Sequence, residues 1–231
     1  MIQTKQDLGA VRDYYTAQRS ASTDQESIYA IWERGEAFND SVTPSTYVPE
    51  YRSHMLLKLV SLTGDDARVF SLGCGNGFVE GDLAALGRTV RAIDFNEEAV
   101  ELTRRKGVDA FTADYYELDA AELAGVEAVY ADGFLGHLFD AEDELRPALR
   151  KLEGLGLASG TTLVFSNDAP FSADAAFEPH HRVQDFWFLS KDYLQRSLES
   201  AGFSSVESYY FPYLRPISGL RNRTICVVRV P

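Results

Sequence analysis

Short apolar runs alternate with amphipathic stretches along most of this chain. Runs near 68–73, 89–94, 109–112, 126–131, 161–166, 204–211 and 222–230 have strand length and predict seven strands. Between them, segments near 76–87, 96–106, 117–124, 141–156 and 190–202 space their apolar residues as helices do. Upstream, from Asp7 to Thr63, the pattern is mostly helical, broken at Asn39-Asp40-Ser41 and again from Pro44 to Pro49. The last of these pieces carries Met55, Leu56, Leu59, Val60 and Leu62 as one stripe ending at Gly64, and should pack on the sheet. Strand–helix alternation implies right-handed crossovers and a parallel sheet with helices on both faces. The last two strands break the rule, because only a loop containing Pro212, Pro216 and Gly219 separates them. Without a crossover helix the final strand must return antiparallel. The pattern thus describes an α/β fold with a seven-stranded, mostly parallel sheet and an antiparallel C-terminal hairpin.

The candidate chemistry begins where the first strand runs out, in Leu72-Gly73-Cys74-Gly75-Asn76-Gly77. Glycines at alternate positions accept positive φ and leave main-chain N–H groups open to a ligand. Asn76 can cap the helix that follows. Asp94, at the end of the second strand, lies about twenty residues past the first glycine, the distance spanned by strand, helix and strand. A carboxylate there can accept both hydroxyls of a ribose. A dinucleotide site would need a third glycine where Phe78 stands, and a bulky ring would crowd a pyrophosphate.

The G-x-G-x-G loop followed by Asp94 resembles the first two motifs of class I S-adenosylmethionine-dependent methyltransferases, and the resemblance spans roughly residues 50 to 230. It implies a Rossmann-like fold, with S-adenosylmethionine as cofactor and S-adenosylhomocysteine as product. By the same resemblance Gly73, Cys74, Gly75, Asn76 and Gly77 would hold the methionine part and Asp94, with Phe95 and Asn96, the ribose. Asp114 would bond the adenine amino group with Tyr115 beside the ring, the alternative being a cap on the next helix. Ala131, Asp132 and Gly133 would pass beneath the methionine part and donor sulfur. The implied branch is that of small-molecule, natural-product enzymes.

Composition narrows the partners. The chain has 231 residues, 45% of them hydrophobic, enough for one α/β domain with a full core. Its net charge of −13 argues against nucleic acid or an anionic membrane and favours a small-molecule acceptor. Cys74 and Cys226 lack any paired spacing, so neither disulfide nor zinc is expected. The polar N-terminus and the absence of a long apolar run point to a cytoplasmic protein, monomer or homodimer. Residues 1–63 read as a helical extension or lid, and 64–231 as the methyltransferase core with a substrate-pocket insertion at 167–190.

Four residues are candidates for catalysis. His137, after the fourth strand, has a pKa suited to proton transfer, but it can also cap a helix or fill the core. His180 and His181, in the insertion, can meet substrate or simply be solvated. A metal site drawn from Asp168, His180 and Asp185 matches no ligand spacing, so no metal is assigned. The extension is rich in aromatics: Tyr14, Tyr15, Tyr29, Trp32, Phe38, Tyr47 and Tyr51. Tyr14 and Tyr15 are the lid candidates, able to touch a sulfonium or an amine by cation–π contact. Arg52 can reach a cofactor carboxylate or lie on the surface. The expected activity is methyl transfer to nitrogen or oxygen of a small metabolite, nitrogen favoured. The alternatives are a nicotinamide-dependent oxidoreductase and a cofactor-binding subunit without turnover.

Overall fold

The computed structural model describes residues 8–17, 19–20, 25–37, 43–183 and 185–231. Phe38 and the Asn39-Asp40-Ser41 break lie outside these residues. Seven strands form the main sheet: β1 (Arg68–Leu72), β2 (Thr89–Asp94), β3 (Asp109–Thr112), β4 (Ala128–Asp132), β5 (Thr162–Asp168), β6 (Ser204–Arg215) and β7 (Gly219–Arg229). Their order is β6-β7-β5-β4-β1-β2-β3. β3, β2, β1, β4 and β5 run parallel, whereas β7 is antiparallel to both β5 and β6. The sheet is the mostly parallel one expected, closed by its C-terminal hairpin.

Period-two alternation sorts the strands between two faces. Phe70, Leu72, Ile93, Val129, Ala131, Leu163, Phe165, Cys226 and Val228 face one core, with side chains of α6 (Arg146–Gly154) and α7 (Lys191–Ser200). Val69, Val90, Ala92, Ala128, Tyr130, Val164, Ile225 and Val227 face the other. That second face is covered by α3 (Pro49–Leu62), α4 (Phe78–Ala85) and α5 (Glu97–Arg104). Tyr51, Met55 and Leu59 of α3 are fully buried there. Ahead of α3 lie α1 (Leu8–Thr16) and α2 (Ile28–Glu33), whose Tyr29 and Trp32 form a separate cluster with Ala99 of α5. Among the described residues no helix is long and apolar enough to cross a membrane.

Three local expectations are corrected. The helix expected over 117–124 is two 3-10 turns, Tyr115–Glu117 and Ala120–Leu123. Asp114 and Asp119 each cap a fresh start, with Leu118 extended between them, so no α-helical turn propagates. The helix expected over 141–156 begins only at Arg146, after a tight turn that puts Glu144 at φ 54. Pro147 is tolerated because it falls in the first turn. Finally, α4 is capped by Gly77 in the left-handed region, not by Asn76.

Candidate functional site

A cavity of about 120 Å³ opens at the carboxyl ends of β1, β2, β3 and β4, where open α/β sheets place ligands. Its first wall is the glycine loop. Gly73 and Cys74 donate to the Ile93 carbonyl at 2.9 and 3.0 Å, seating the loop on the end of β2. A Cβ on Gly73 would come within 2.7 Å of the Phe134 ring, and one on Gly77 would run into Thr103. At Gly75, with φ +53, a Cβ would meet nothing within 4 Å. The loop is therefore pinched at both ends and open in the middle, a cradle that fits a cofactor lying against main-chain atoms.

Asp94 closes one end of the cradle. Its carboxylate accepts from the Gly75 and Asn96 N–H groups, each at 2.9 Å. Burial pushes its pKa up to about 6 against those bonds. Phe95 lies beside it, and Asp114 and Tyr115 line the wall across from it. Asp114 lines the cavity, and its carboxylate caps the turn that follows by accepting from Tyr116 N–H at 2.8 Å. Tyr115 is tied back to the Ala148 carbonyl at 2.9 Å.

A further end of the cavity is built from α1 and the insertion. The Tyr15 hydroxyl meets His137 Nε2 at 2.8 Å, and Phe186 sets its ring edge-on to the imidazole at 4.7 Å. Burial pushes the His137 pKa down to about 3, outweighing a small upward pull from the Asp185 backbone, so the ring is neutral. Val11 and Arg12 from α1, with Leu138 and Val183, complete this end. His180 also lines it, but its Nδ1 accepts from the Arg182 and Val183 N–H groups and so shapes the insertion's turn.

Beneath Gly133 lies a buried ionic network. Arg223 of β7 pairs with Asp132 of β4 and, at 2.9 Å, with Asp168 of β5, and its Nε donates to Ser166 at 2.8 Å. Arg215 also pairs with Asp168, whose other partner is the Tyr213 hydroxyl at 2.5 Å. Burial alone would raise the Asp168 pKa, yet Arg215 and Arg223 hold it down to about 2. Asp132, Gly133, Asp168 and Arg223 all reach the cavity floor.

Several expected site residues lie elsewhere. His181 is exposed, stacked near Phe171 and Phe188, outside the cavity. Tyr14 does not line it either and packs edge-on behind Tyr15. Asn96 is occupied in capping α5, and Ala131 is buried in the core below. Cys74, Asn76 and Gly77 face a second, smaller cavity behind the loop. Asn76 instead donates to the Tyr29 carbonyl at 3.0 Å and the Glu33 carboxylate at 2.8 Å, fastening α2 to the loop. Arg52 is paired with Asp82 at 2.5 Å and lies over the Phe78 ring, so it is not turned to a ligand. Conversely Val11, Arg12, Trp32, Val183, Phe186 and Arg223 line the cavity without having been singled out for it. Arg223 did leave a signal, a charge set just before the apolar run Ile225-Cys226-Val227-Val228. Trp32 stood out only as one of the aromatics of the extension, and the others carry no local pattern.

The family profile described as "Methyltransferase domain" matches residues 70–160. The tabtoxin biosynthesis enzyme of Pseudomonas amygdali pv. tabaci is 62% identical over 98% of this chain and 90% of its own length. A Mycobacterium tuberculosis protein described as "Probable S-adenosylmethionine-dependent methyltransferase" is 30% identical over 68% of this chain and 57% of its own. Among solved structures, the magnesium protoporphyrin IX methyltransferase of Synechocystis PCC 6803, with bound S-adenosylhomocysteine, matches 97% of this chain and all of that one. Its TM-score is 0.67 at 17% identity, a likeness of fold. The Burkholderia thailandensis 1,6-didemethyltoxoflavin-N1-methyltransferase matches 93% of this chain and 99% of that one, with a TM-score of 0.61 at 18% identity. The oxidoreductase alternative is thereby set aside. Pinched glycine loop, acid-ended second strand, closing hairpin and these relatives agree: the chain belongs to the class I S-adenosylmethionine-dependent methyltransferases, enzymes that release S-adenosylhomocysteine.

Proposed function

We propose that this chain methylates a nitrogen, in preference to an oxygen, of a small natural-product-type metabolite. The observation that carries the reading is the Tyr15–His137 contact in the wall of the cavity. The relative that acts in tabtoxin biosynthesis supports the metabolite class. Residues 1–63 serve as a helical extension whose α1 and α2 wall the site, residues 64–231 as the core, and 167–190 as the insertion shaping the acceptor end.

Gly73, Gly75, Asp94, Phe95, Asp114, Tyr115, Asp132 and Gly133 form the cofactor's cradle in this reading. The cofactor supplies an electrophilic methyl group on a sulfonium. The protein's work is to orient the acceptor and exclude water. Aromatic rings of Tyr15, Trp32, Phe95 and Phe186 keep the cavity dry. With Nε2 of a neutral His137 accepting from Tyr15, the Tyr15 oxygen can accept from the acceptor's N–H or O–H. A ring held neutral down to about pH 3 is a weak base, so the pair orients the acceptor's lone pair toward the methyl group, as suits an amine that arrives neutral, and the acceptor's proton leaves to solvent after transfer.

The test is label transfer from methyl-labelled S-adenosylmethionine to matched panels of amines and alcohols. Tyr15→Phe and His137→Gln should each lower kcat by about tenfold to a hundredfold, through loss of acceptor orientation. Affinity for S-adenosylhomocysteine should change less than the rate does, since the Tyr15 hydroxyl is bonded to His137 and not to a residue of the cradle. Saturable cofactor binding with no methylated product from either panel would instead identify a subunit without turnover.

A further inference from the structure

Val11, Arg12 and Tyr15 of α1 all line the main cavity, with Arg12 one helical turn before Tyr15 on the same face. Arg12 does not border the smaller cavity behind the glycine loop, whose walls include Asn76 and the buried Glu80. Two arginines line the main cavity, and they differ in what occupies them. Arg223 is committed to Asp132 and Asp168 beneath Gly133. The Arg12 guanidinium has no carboxylate, carbonyl or ring partner among the described residues. The four carboxylates of the lining do not supply one, because Asp94 is held by the Gly75 and Asn96 N–H groups, Asp132 and Asp168 by arginine, and Asp114 by the Tyr116 N–H. A guanidinium without a counter-ion in the wall of a binding cavity matches an anionic group on what the cavity takes up.

The insertion adds a second donor. His180 lines the same cavity, and its Nδ1 accepts from the Arg182 and Val183 N–H groups at 3.0 and 2.9 Å. Those bonds fix the tautomer, since Nδ1 cannot also carry hydrogen, and leave the ring's N–H at Nε2. α1 and the insertion meet through Tyr14, which packs on Val183, Phe186 and Phe188. Both donors therefore belong to the end of the cavity that Tyr15 and His137 also wall.

The geometry points to a carboxylate on the acceptor, received by Arg12 with His180 Nε2–H as second donor, while the acceptor nitrogen lies at the Tyr15–His137 pair. The acceptor class is then an amino acid or another small amine that carries a carboxylate. This inference rests on the proposed methylation of a small metabolite and names what that metabolite carries. A carboxylate fits better than a phosphate, because one arginine balances a single charge while four aspartates line the same walls. A protein of net charge −13 repels anions in general, so a carboxylate acceptor needs this cation.

The experiment compares amino acids with their carboxamides and with decarboxylated amines of the same skeleton, on the wild type, Arg12→Gln and Arg12→Lys. Arg12 is exposed on α1, so these substitutions leave the fold intact. Calorimetric titration of protein saturated with S-adenosylhomocysteine reads binding without turnover, and label transfer from S-adenosylmethionine reads kcat and KM. The wild type should bind the acids about tenfold or more tighter than the carboxamides. Arg12→Gln should remove that preference by weakening the acids, with the loss in KM and not in kcat, and Arg12→Lys should restore part of it. His180→Phe should weaken the acids by a smaller factor, about threefold. Equal affinity for acids and carboxamides, or no binding of either, would overturn the carboxylate site, and methyl transfer to the plain amines would show the proposed reaction standing without it. Phosphonate analogues bound more tightly than the acids would overturn the choice of anion. A fall in S-adenosylhomocysteine affinity in Arg12→Gln as large as the fall for the acids would put Arg12 on the donor and overturn its role toward the acceptor. Acids bound through Arg12 with no methyl transfer would keep the site and remove the reaction.

Discussion

Burial sets the charge of the side chains on which this site depends. Glu80 and Asp94 have folded-state pKa values raised to about 7 and about 6. Between their ordinary values and those, the folded chain holds protons that the unfolded chain has lost, so stability falls as pH rises from about 5 to about 7. Glu80→Gln removes one of these contributions. Its melting temperature should exceed the wild type's by more at pH 8 than at pH 5, a difference on the order of a few kcal/mol. His137 works in the opposite sense. Its folded pKa of about 3 lies below the ordinary 6.5, so the unfolded chain takes up the proton first and stability is lost as pH falls from about 6.5 toward 3. His137→Gln should flatten that limb in thermal melts recorded across the range. The residue types at these positions were readable as candidate chemistry. Their protonation was not, because it depends on neighbours distant in sequence: Tyr15 stands 122 residues from His137, and Asp132 stands 52 from Glu80.

Elements differ in how much of them local sequence specifies. Seven strands and the helix over Pro49–Leu62 follow from periodicity alone, since each buries a face whose pattern is written within it. The segment after β3 misled because its apolar spacing is helical, while two aspartates restart the chain every few residues. The glycine loop was legible as a loop, but its packing was not. Gly77→Ala should cost about 2 kcal/mol or more, measured by urea unfolding, because it adds a Cβ at positive φ and pushes on Thr103. The C-terminal hairpin has a second function besides closing the sheet, in that Arg223 and Arg215 carry charge to the ends of β4 and β5. Arg223→Met leaves Asp132 without its cation and Asp168 with one fewer, and should cost about 3–5 kcal/mol in the same assay. Cofactor affinity should fall too, since Gly133 lies directly over the guanidinium.

At the scale of the whole molecule, the site joins elements from every part of the fold. Residues of α1, α2, β2, β4 and the insertion meet around one cavity, which therefore exists only when all of them are docked. S-adenosylhomocysteine at about 100 times its Kd should stabilise the folded chain by about 2.7 kcal/mol. For a chain of this length that raises the melting temperature by roughly 5–10 °C, readable by calorimetry.

The sequence by itself determined the class of the protein: a parallel sheet closed by a hairpin, a glycine loop at the first strand end, an acid at the second. Those are local patterns, imposed by backbone geometry and by period, and they survive without knowledge of packing. Only the tertiary structure decided which groups line the cavity. It turned Asn76 from a helix cap to a clasp on α2, left His181 in solvent, paired Arg52 with Asp82, and brought Tyr15 onto His137. Each of those outcomes is a contact between segments far apart in the chain, settled by burial and by which partner satisfies a buried polar atom. No periodicity within either segment encodes it.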